Sequence, residues 1–498
     1  MRSRAFVRVV LMIAALCALR AASARDADIG KLRVWELPTY TLIAADDYDP
    51  RIVVQQLANT ERALSKLLAT PVKTTTVPTL VWLVPSNVWN RYLAPSRAIA
   101  GEFVPRRFTN YLVINADIGR DELRGGVQHE YTHFFLRTQF GGLYPLWFDE
   151  GLAEILGSAT LRVDRATFSP PIIAGATRWL EMSRLFELDK SSREYLEEPD
   201  SRIVHRESWA IVHRGLLADT GFGNKMFAYL SAINRLVPAG DAVTEGFGMD
   251  FLELDASMNA YLMRKKFAVA TMNFEGAPLP KLPSSRLLDP VEALETLARV
   301  MLDTGFKPEN LGEVVDTVDR LAPAAPRVTM LKLRLAVRDR RDAEALQLAG
   351  SLSDDDVATL RDTGLALFER VREPAADDPM TAGARADFER TAFGLLDRAL
   401  RIDAGDAAAA WGHALLAVRL HESLDLALER LASARTRMPG HPDLAEATAL
   451  ALEAHGDEDA MMPYLLDALR NTSSAAQRAR AAQRIAELRI KEREKAPQ

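Results

Sequence analysis

The spacing of apolar positions divides the chain into two kinds of segment. Up to about residue 284, short runs rich in β-branched and aromatic residues (Thr39 to Ala45, Thr79 to Val84, Tyr111 to Asn115) are bounded by turn residues and predict strands. Between the first two, Ile52, Val53, Leu57, Leu64, Leu67 and Leu68 recur at helical intervals behind Asp49 and Pro50. Arg120 to Phe140 and Leu146 to Gly157 read as helices broken apart by Gly141, Gly142 and Pro145, and a further helix is expected over Glu207 to Asp219. Strands followed by a mainly helical block predict an α+β unit.

Past Pro278, Pro280, Pro283 and Pro290 the pattern changes to Ala, Leu, Arg, Asp and Glu at helical spacing, with almost no strand signal. The proline-rich stretch reads as a linker. Gly405 and Gly440 follow similar helix ends 35 positions apart, close to the roughly 34-residue period of tetratricopeptide helix pairs. Tyr464 to Ala475 and Pro326 to Leu352 read as further copies, and a generic helical bundle is the plainer alternative. The division expected is therefore 1–24, 25–284 and 285–498, the last an all-α tetratricopeptide-like repeat region. Stacked helix pairs form a concave surface, so its expected role is to bind a protein partner or to act as a rigid spacer.

Composition narrows the function classes. With 62 Lys plus Arg against 68 Asp plus Glu, the net charge of -6 provides no global attraction to nucleic acid or an anionic membrane. Residues 1–24 have a basic start (Arg2, Arg4, Arg8), an apolar run from Val9 to Leu19 and the small-residue site Ala22-Ser23-Ala24, which predicts a secretory signal and an exported, periplasmic or secreted, protein. Leu16 before Cys17 argues against lipidation. Cys17 is the single cysteine and would leave with the signal, so neither a disulfide scaffold nor a thiolate site is expected. No later run approaches 18 apolar residues, so no transmembrane segment is expected after cleavage.

The chemistry concentrates at two neighbouring helices. His129-Glu130-Tyr131-Thr132-His133 fits H-E-x-x-H, and positions i and i+4 share a helix face, so both imidazoles reach one ion while Glu130 reaches water bound to it. Seventeen positions after His133, Glu150 in Trp147-Phe148-Asp149-Glu150-Gly151-Leu152-Ala153-Glu154 can supply a third ligand, giving a His2Glu site with an open position. Gly151 allows a close helix approach, and Glu154, one turn on, can accept a hydrogen bond from the distal nitrogen of a ligating histidine. The plainer alternative is two solvated carboxylates and a surface histidine pair.

HEYTHFF followed by PLWFDEGLAEIL resembles the gluzincin zinc metallopeptidases, specifically the clan MA-like peptidase domains of exported bacterial proteins that are often joined to tetratricopeptide repeats. The resemblance covers roughly 35 to 270 and is most specific at Asp149-Glu150-Gly151. It implies a zincin-like fold, a small sheet followed by metal-bearing helices, with Zn2+ on His129, His133 and Glu150 and with Glu130 as general base. The Gly-x-Met-Glu-Asn run of the aminopeptidase branch is missing upstream of His129, so recognition of a free amino terminus is not supported. Family members place a Tyr three residues before a Ser-Trp-Ala helix start; here Ser208-Trp209-Ala210 follows His205, which either donates to the oxyanion in that Tyr's place or is a cap or surface residue. His213 reads as packing or surface.

The expected activity is hydrolysis of peptide bonds in a peptide or protein substrate by a metal-activated water. The substrate is expected along an edge strand, for which Tyr111 to Asn115 is the candidate. An exported helical-repeat scaffold with a catalytically silent zincin-like domain is the alternative, and hydrolysis of a non-peptide amide uses the same chemistry. Ser158 to Pro199 reads as either a lid or a surface excursion.

Overall fold

The computed structural model describes residues 27 and 29–495, apart from 74–76, 95–99, 171–178, 265, 275–280, 324, 354–355 and 373–379. The expected signal with Cys17, and Pro171, Pro278 and Pro280, lie outside the described residues.

Strands β1 (Leu32–Glu36), β2 (Thr41–Ala45), β3 (Thr79–Val84), β4 (Gly101–Pro105) and β5 (Asn110–Asn115) form a sheet in the order β4-β5-β3-β2-β1. β2, β3 and β5 run parallel, while β4 and β1 are antiparallel to their neighbours. The runs LVWLV in β3 and YLVI in β5 are continuously apolar because both faces of the sheet are covered. Val81, Leu83, Leu112 and Ile114 face one core with helices α1 (Arg51–Leu67), α2 (Arg120–Phe135) and α3 (Leu146–Gly157). Trp82, Val84, Tyr111 and Val113 face a second core.

A three-stranded sheet of β6 (Thr160–Leu161), β7 (Arg165–Phe168) and β8 (Ala270–Asn273) brings the two ends of the helical block together. Between β7 and β8 lie α4 (Asp200–His213), α5 (Thr220–Asn234), α6 (Ala239–Phe247) and α7 (Phe251–Leu262). The helix expected from Glu207 begins a full two turns earlier, behind Pro199 and with Asp200 in its first turn, where a carboxylate suits the helix dipole.

The second core is made with the C-terminal half. β9 (Arg286–Leu287) pairs with β1 and completes the six-stranded sheet, and α8 (Pro290–Thr304), α9 (Leu311–Leu321) and α10 (Pro326–Arg338) pack Leu294, Leu297, Val314, Val318 and Leu331 against Trp82 and Val113. The chain past the prolines is thus part of the sheet's own packing. At roughly 1.5–3 kcal/mol for each fully buried large apolar side chain, this core ties the halves together more firmly than a linker could.

The array continues through α11 (Asp342–Gly350), α12 (Val357–Arg372), α13 (Ala382–Ile402), α14 (Ala407–Leu420), α15 (Leu424–Arg437), α16 (Pro442–His455), α17 (Met462–Asn471) and α18 (Ala475–Lys495). Consecutive helices pack as hairpins, and alternate helices α10, α12, α14 and α16 also pack on one another, making a helical repeat with one continuous inner wall. Gly405 and Gly440 occupy equivalent links, before α14 and α16. The far end returns to the first half, where Arg478 of α18 donates to the Asn234 carbonyl at 2.9 Å. Among the described residues no helix is long and apolar enough to cross a membrane.

Candidate metal centre

Helix α2 is anchored by what it buries. Val127, Tyr131, Phe134 and Phe135 face the core, and the Tyr131 hydroxyl donates to Glu61 of α1 at 2.6 Å. This leaves His129 and His133 on the opposite side, one turn apart, with ring centroids 4.9 Å from each other. Gly141 and Gly142, with φ of 70° and 77°, adopt the left-handed conformation that turns the chain back toward α3.

α3 crosses α4 closely enough that a Cβ on Gly151 would lie 2.2 Å from the Ser208 carbonyl oxygen. That approach brings Glu150 and Glu154 of α3 against His205 of α4. Glu150 is completely buried; its Oε2 lies 3.4 Å from His129 Nε2, 3.7 Å from His133 Nε2 and 3.4 Å from His205 Nδ1. Yet this oxygen has no hydrogen-bond partner among the described residues. The other oxygen, Oε1, accepts the Tyr195 hydroxyl at 2.9 Å.

The ligating atoms of His129, His133 and Glu150 lie within 4.8 Å of one another. Two imidazole nitrogens and a carboxylate oxygen are the donor chemistry of a zinc site, and a buried carboxylate oxygen without a donor is an atom a cation would satisfy. The residues present therefore fit the metal. Burial alone would push the His129 imidazole down, but Glu150, Glu130 and Glu154 outweigh it and raise it to about 9. Burial would raise the Glu150 carboxyl, but His133, His205 and His129 hold it well below the usual carboxylate range. The cluster is one in which carboxylates attract positive charge.

The partner that orients His133 is Asp149, whose Oδ1 lies 2.6 Å from Nδ1; Asp149 is held in turn by Lys190 Nζ at 3.3 Å. For this ring the carboxylate behind the distal nitrogen is Asp149. Glu154 Oε1 lies 3.6 Å from His129 Nδ1 and 3.1 Å from His205 Nδ1, so its closer partner is His205. His205, placed inside α4 rather than at a helix start, stacks on Tyr195 with centroids 5.8 Å apart. His213 is a buried packing residue between Tyr261 and the Ala268 carbonyl.

Glu130 accepts the backbone N–H of Phe103 at 2.7 Å, and the Phe103 ring meets Phe134 edge-on at 5.9 Å. This corrects the expected edge strand. β5 is paired on both sides, and the free edge beside α2 is β4, whose sequence GEFVP mixes Gly, Glu and Pro with two apolar residues and carries little strand signal. Glu130, His129, His133, Tyr195 and His205 line a cleft of about 900 Å³. Its wall includes Leu188, Asp189, Lys190 and Leu196 from the 158–199 excursion, and Thr304, Phe306 and Ser473 from the helical array. Sequence reasoning missed Asp149, Lys190 and Tyr195 as site residues; Asp149 alone had a signal, its place beside Glu150 on α3.

Comparison with models of known protein families gives no match, and comparison with the curated proteins gives none. Among solved structures the chain is similar to a thermophilic TPR protein of Thermus thermophilus, at 16% identity and a TM-score of 0.31, over 39% of this chain and 99% of that one. It is also similar to two crystal structures of MamA at 16% identity and a TM-score of 0.27, over 36% and 39% of this chain and 90% and 98% of theirs.

Proposed function

We propose that the chain is a zinc metallopeptidase of gluzincin type, exported to act on peptide or protein substrates. The observation that carries this reading is the buried, donor-free Oε2 of Glu150 facing His129 and His133, with Glu130 beside them in the same cleft. His129, His133 and Glu150 would hold the ion. Zinc would supply Lewis acidity, polarising a carbonyl and acidifying water.

The rest is work for the chain's own groups. Glu130 is fixed through one oxygen by the Phe103 N–H, and its other oxygen is left to take the proton of the attacking water and pass it to the leaving amine. Asp149 holds the His133 ring, and Tyr195 holds the Glu150 carboxylate. His205, with Nδ1 on Glu154, has its second nitrogen left for a substrate oxygen. An extended peptide pairing with β4 as an added strand would pass Glu130 at Phe103.

Glu130→Gln tests the reading: bound zinc, measured by elemental analysis, should stay stoichiometric while cleavage of a peptide library falls by about 10²–10⁴-fold. Undiminished cleavage in a clean preparation would sink the mechanism.

A second reading, an exported interaction scaffold with a silent zincin-like domain, is favoured by the extent of the helical array and by its inner groove, which already holds a segment of polypeptide. Stoichiometric zinc with no cleavage of any library member, and specific partner capture by the array, would decide for it.

A further inference from the structure

The turn between β4 and β5 reaches into the inner wall of the helical array. Arg107 and Phe108 at its tip are gripped from three alternate helices. The Arg107 guanidinium lies 4.0 Å from the Trp411 ring centroid on α14, 2.9 Å from Asp443 on α16 and 3.3 Å from Glu369 on α12. The Phe108 ring stacks on His441 at 4.8 Å and meets Trp411 at 5.8 Å. His441 Nε2 donates to the Arg107 carbonyl at 2.8 Å. An aromatic face and two carboxylates for a guanidinium, a stacked ring for an aromatic side chain and a donor for the backbone make up a complete recognition set for a short peptide. The groove runs on from the tip into a cavity of about 930 Å³, so it is longer than the segment that fills it.

We propose that the inner groove of the array is a peptide-binding site selective for an arginine–aromatic pair, occupied in cis by Arg107 and Phe108, and that this occupancy positions β4. Phe103, whose N–H holds Glu130, is only four residues from Arg107. Arg107 and Phe108 are thus positioning residues for Glu130, acting through the strand. The binding half of this proposal is independent of the metallopeptidase reading, and only the consequence for catalysis rests on it. A cis ligand on a short tether has an effective concentration in the millimolar range, so a free peptide of the same sequence competes poorly while the turn is seated.

The test uses the full chain and a labelled synthetic peptide, Pro-Arg-Arg-Phe-Thr-Asn, copied from residues 105–110. In the double variant Arg107→Ala/Phe108→Ala the peptide should bind at least 10-fold more tightly than to the unmodified chain, and a peptide with Ala-Ala for the second Arg and the Phe should not bind. The Phe103 amide should exchange with deuterium at least 10-fold faster in that variant. The groove-side pair Glu369→Gln/Asp443→Asn leaves the turn intact; it should also speed Phe103 exchange without gaining affinity for the peptide, and it decides the matter if the tip variant misfolds. Equal peptide binding to both forms of the tip, no binding to the folded tip variant, or unchanged Phe103 exchange in the groove-side variant would overturn the proposal. Neither readout needs turnover, so a chain that cleaves nothing is still a valid subject. If the chain is a peptidase, kcat/KM should fall, because β4 both holds Glu130 and offers the edge a peptide substrate would pair with.

Discussion

Asp149 Oδ1 sits 2.6 Å from His133 Nδ1, which fixes the ring so that its other nitrogen is the one directed toward Glu150. A carboxylate behind a ligating imidazole sets its orientation and strengthens it as a donor. Asp149→Asn should therefore weaken zinc binding by about 10–100-fold, read by competition with a chromophoric chelator. Unchanged affinity would show that the pair does not support a ligand.

Tyr195 tests the other side of the same carboxylate. In Tyr195→Phe, Glu150 Oε1 stays buried but loses its donor. The metal-free protein should lose about 1–3 kcal/mol of stability in urea unfolding, the cost of leaving a buried acceptor unpaired.

At Gly151 the constraint is backbone contact. A Cβ there would meet the Ser208 carbonyl at 2.2 Å, and neither helix has a flexible side-chain end to yield at that point. Gly151→Ala should cost about 1–3 kcal/mol or more and, by moving α3 off α4, should lower zinc affinity as well. A variant that melts and binds zinc like the unmodified chain would refute the close approach.

A pH test is available in the helical array. Burial, helped by the Arg430 guanidinium 2.9 Å away, pushes the completely buried His413 imidazole down to about 4. The unfolded chain takes up this proton near pH 6.5, the folded chain only near 4, so the unfolded state binds more protons in that interval. Stability should fall by about 3 kcal/mol as pH drops from 6.5 to 4, with no contribution from this group above 6.5. Urea unfolding of His413→Asn across this interval should lose that part of the slope.

The strands at 79–84 and 111–115 and the two helices bearing the HExxH and Asp-Glu-Gly sequences were legible because local periodicity and turn residues place them without reference to anything distant. β4 was not legible: Gly101 and Pro105 weaken its pattern, and it is a strand because β5 pairs with it and Phe103 packs on Phe134. β9 has two residues and exists only through β1. The unbroken apolar runs of β3 and β5 did carry a sign that both faces of the sheet are covered, although nothing in them names the covering helices.

At the site, His129, Glu130, His133 and Glu150 followed from spacing, since a helix converts a four-residue interval into a shared face. What stands beyond that face depends on how helices cross, and crossing is set by packing far from the motif. Sequence by itself therefore determined the two helices that carry His129, His133 and Glu150, the composition of that cluster and the helical character of the second half. Only the tertiary structure decided that Asp149 rather than Glu154 backs His133, that Tyr195 reaches Glu150, and that the helical array covers the sheet and grips the Arg107–Phe108 turn. The first of these depends on which way a side chain turns, and the others join residues as far apart as 45 positions for Tyr195 and Glu150 and 336 for Arg107 and Asp443. No local pattern encodes a contact that the folded core alone brings about.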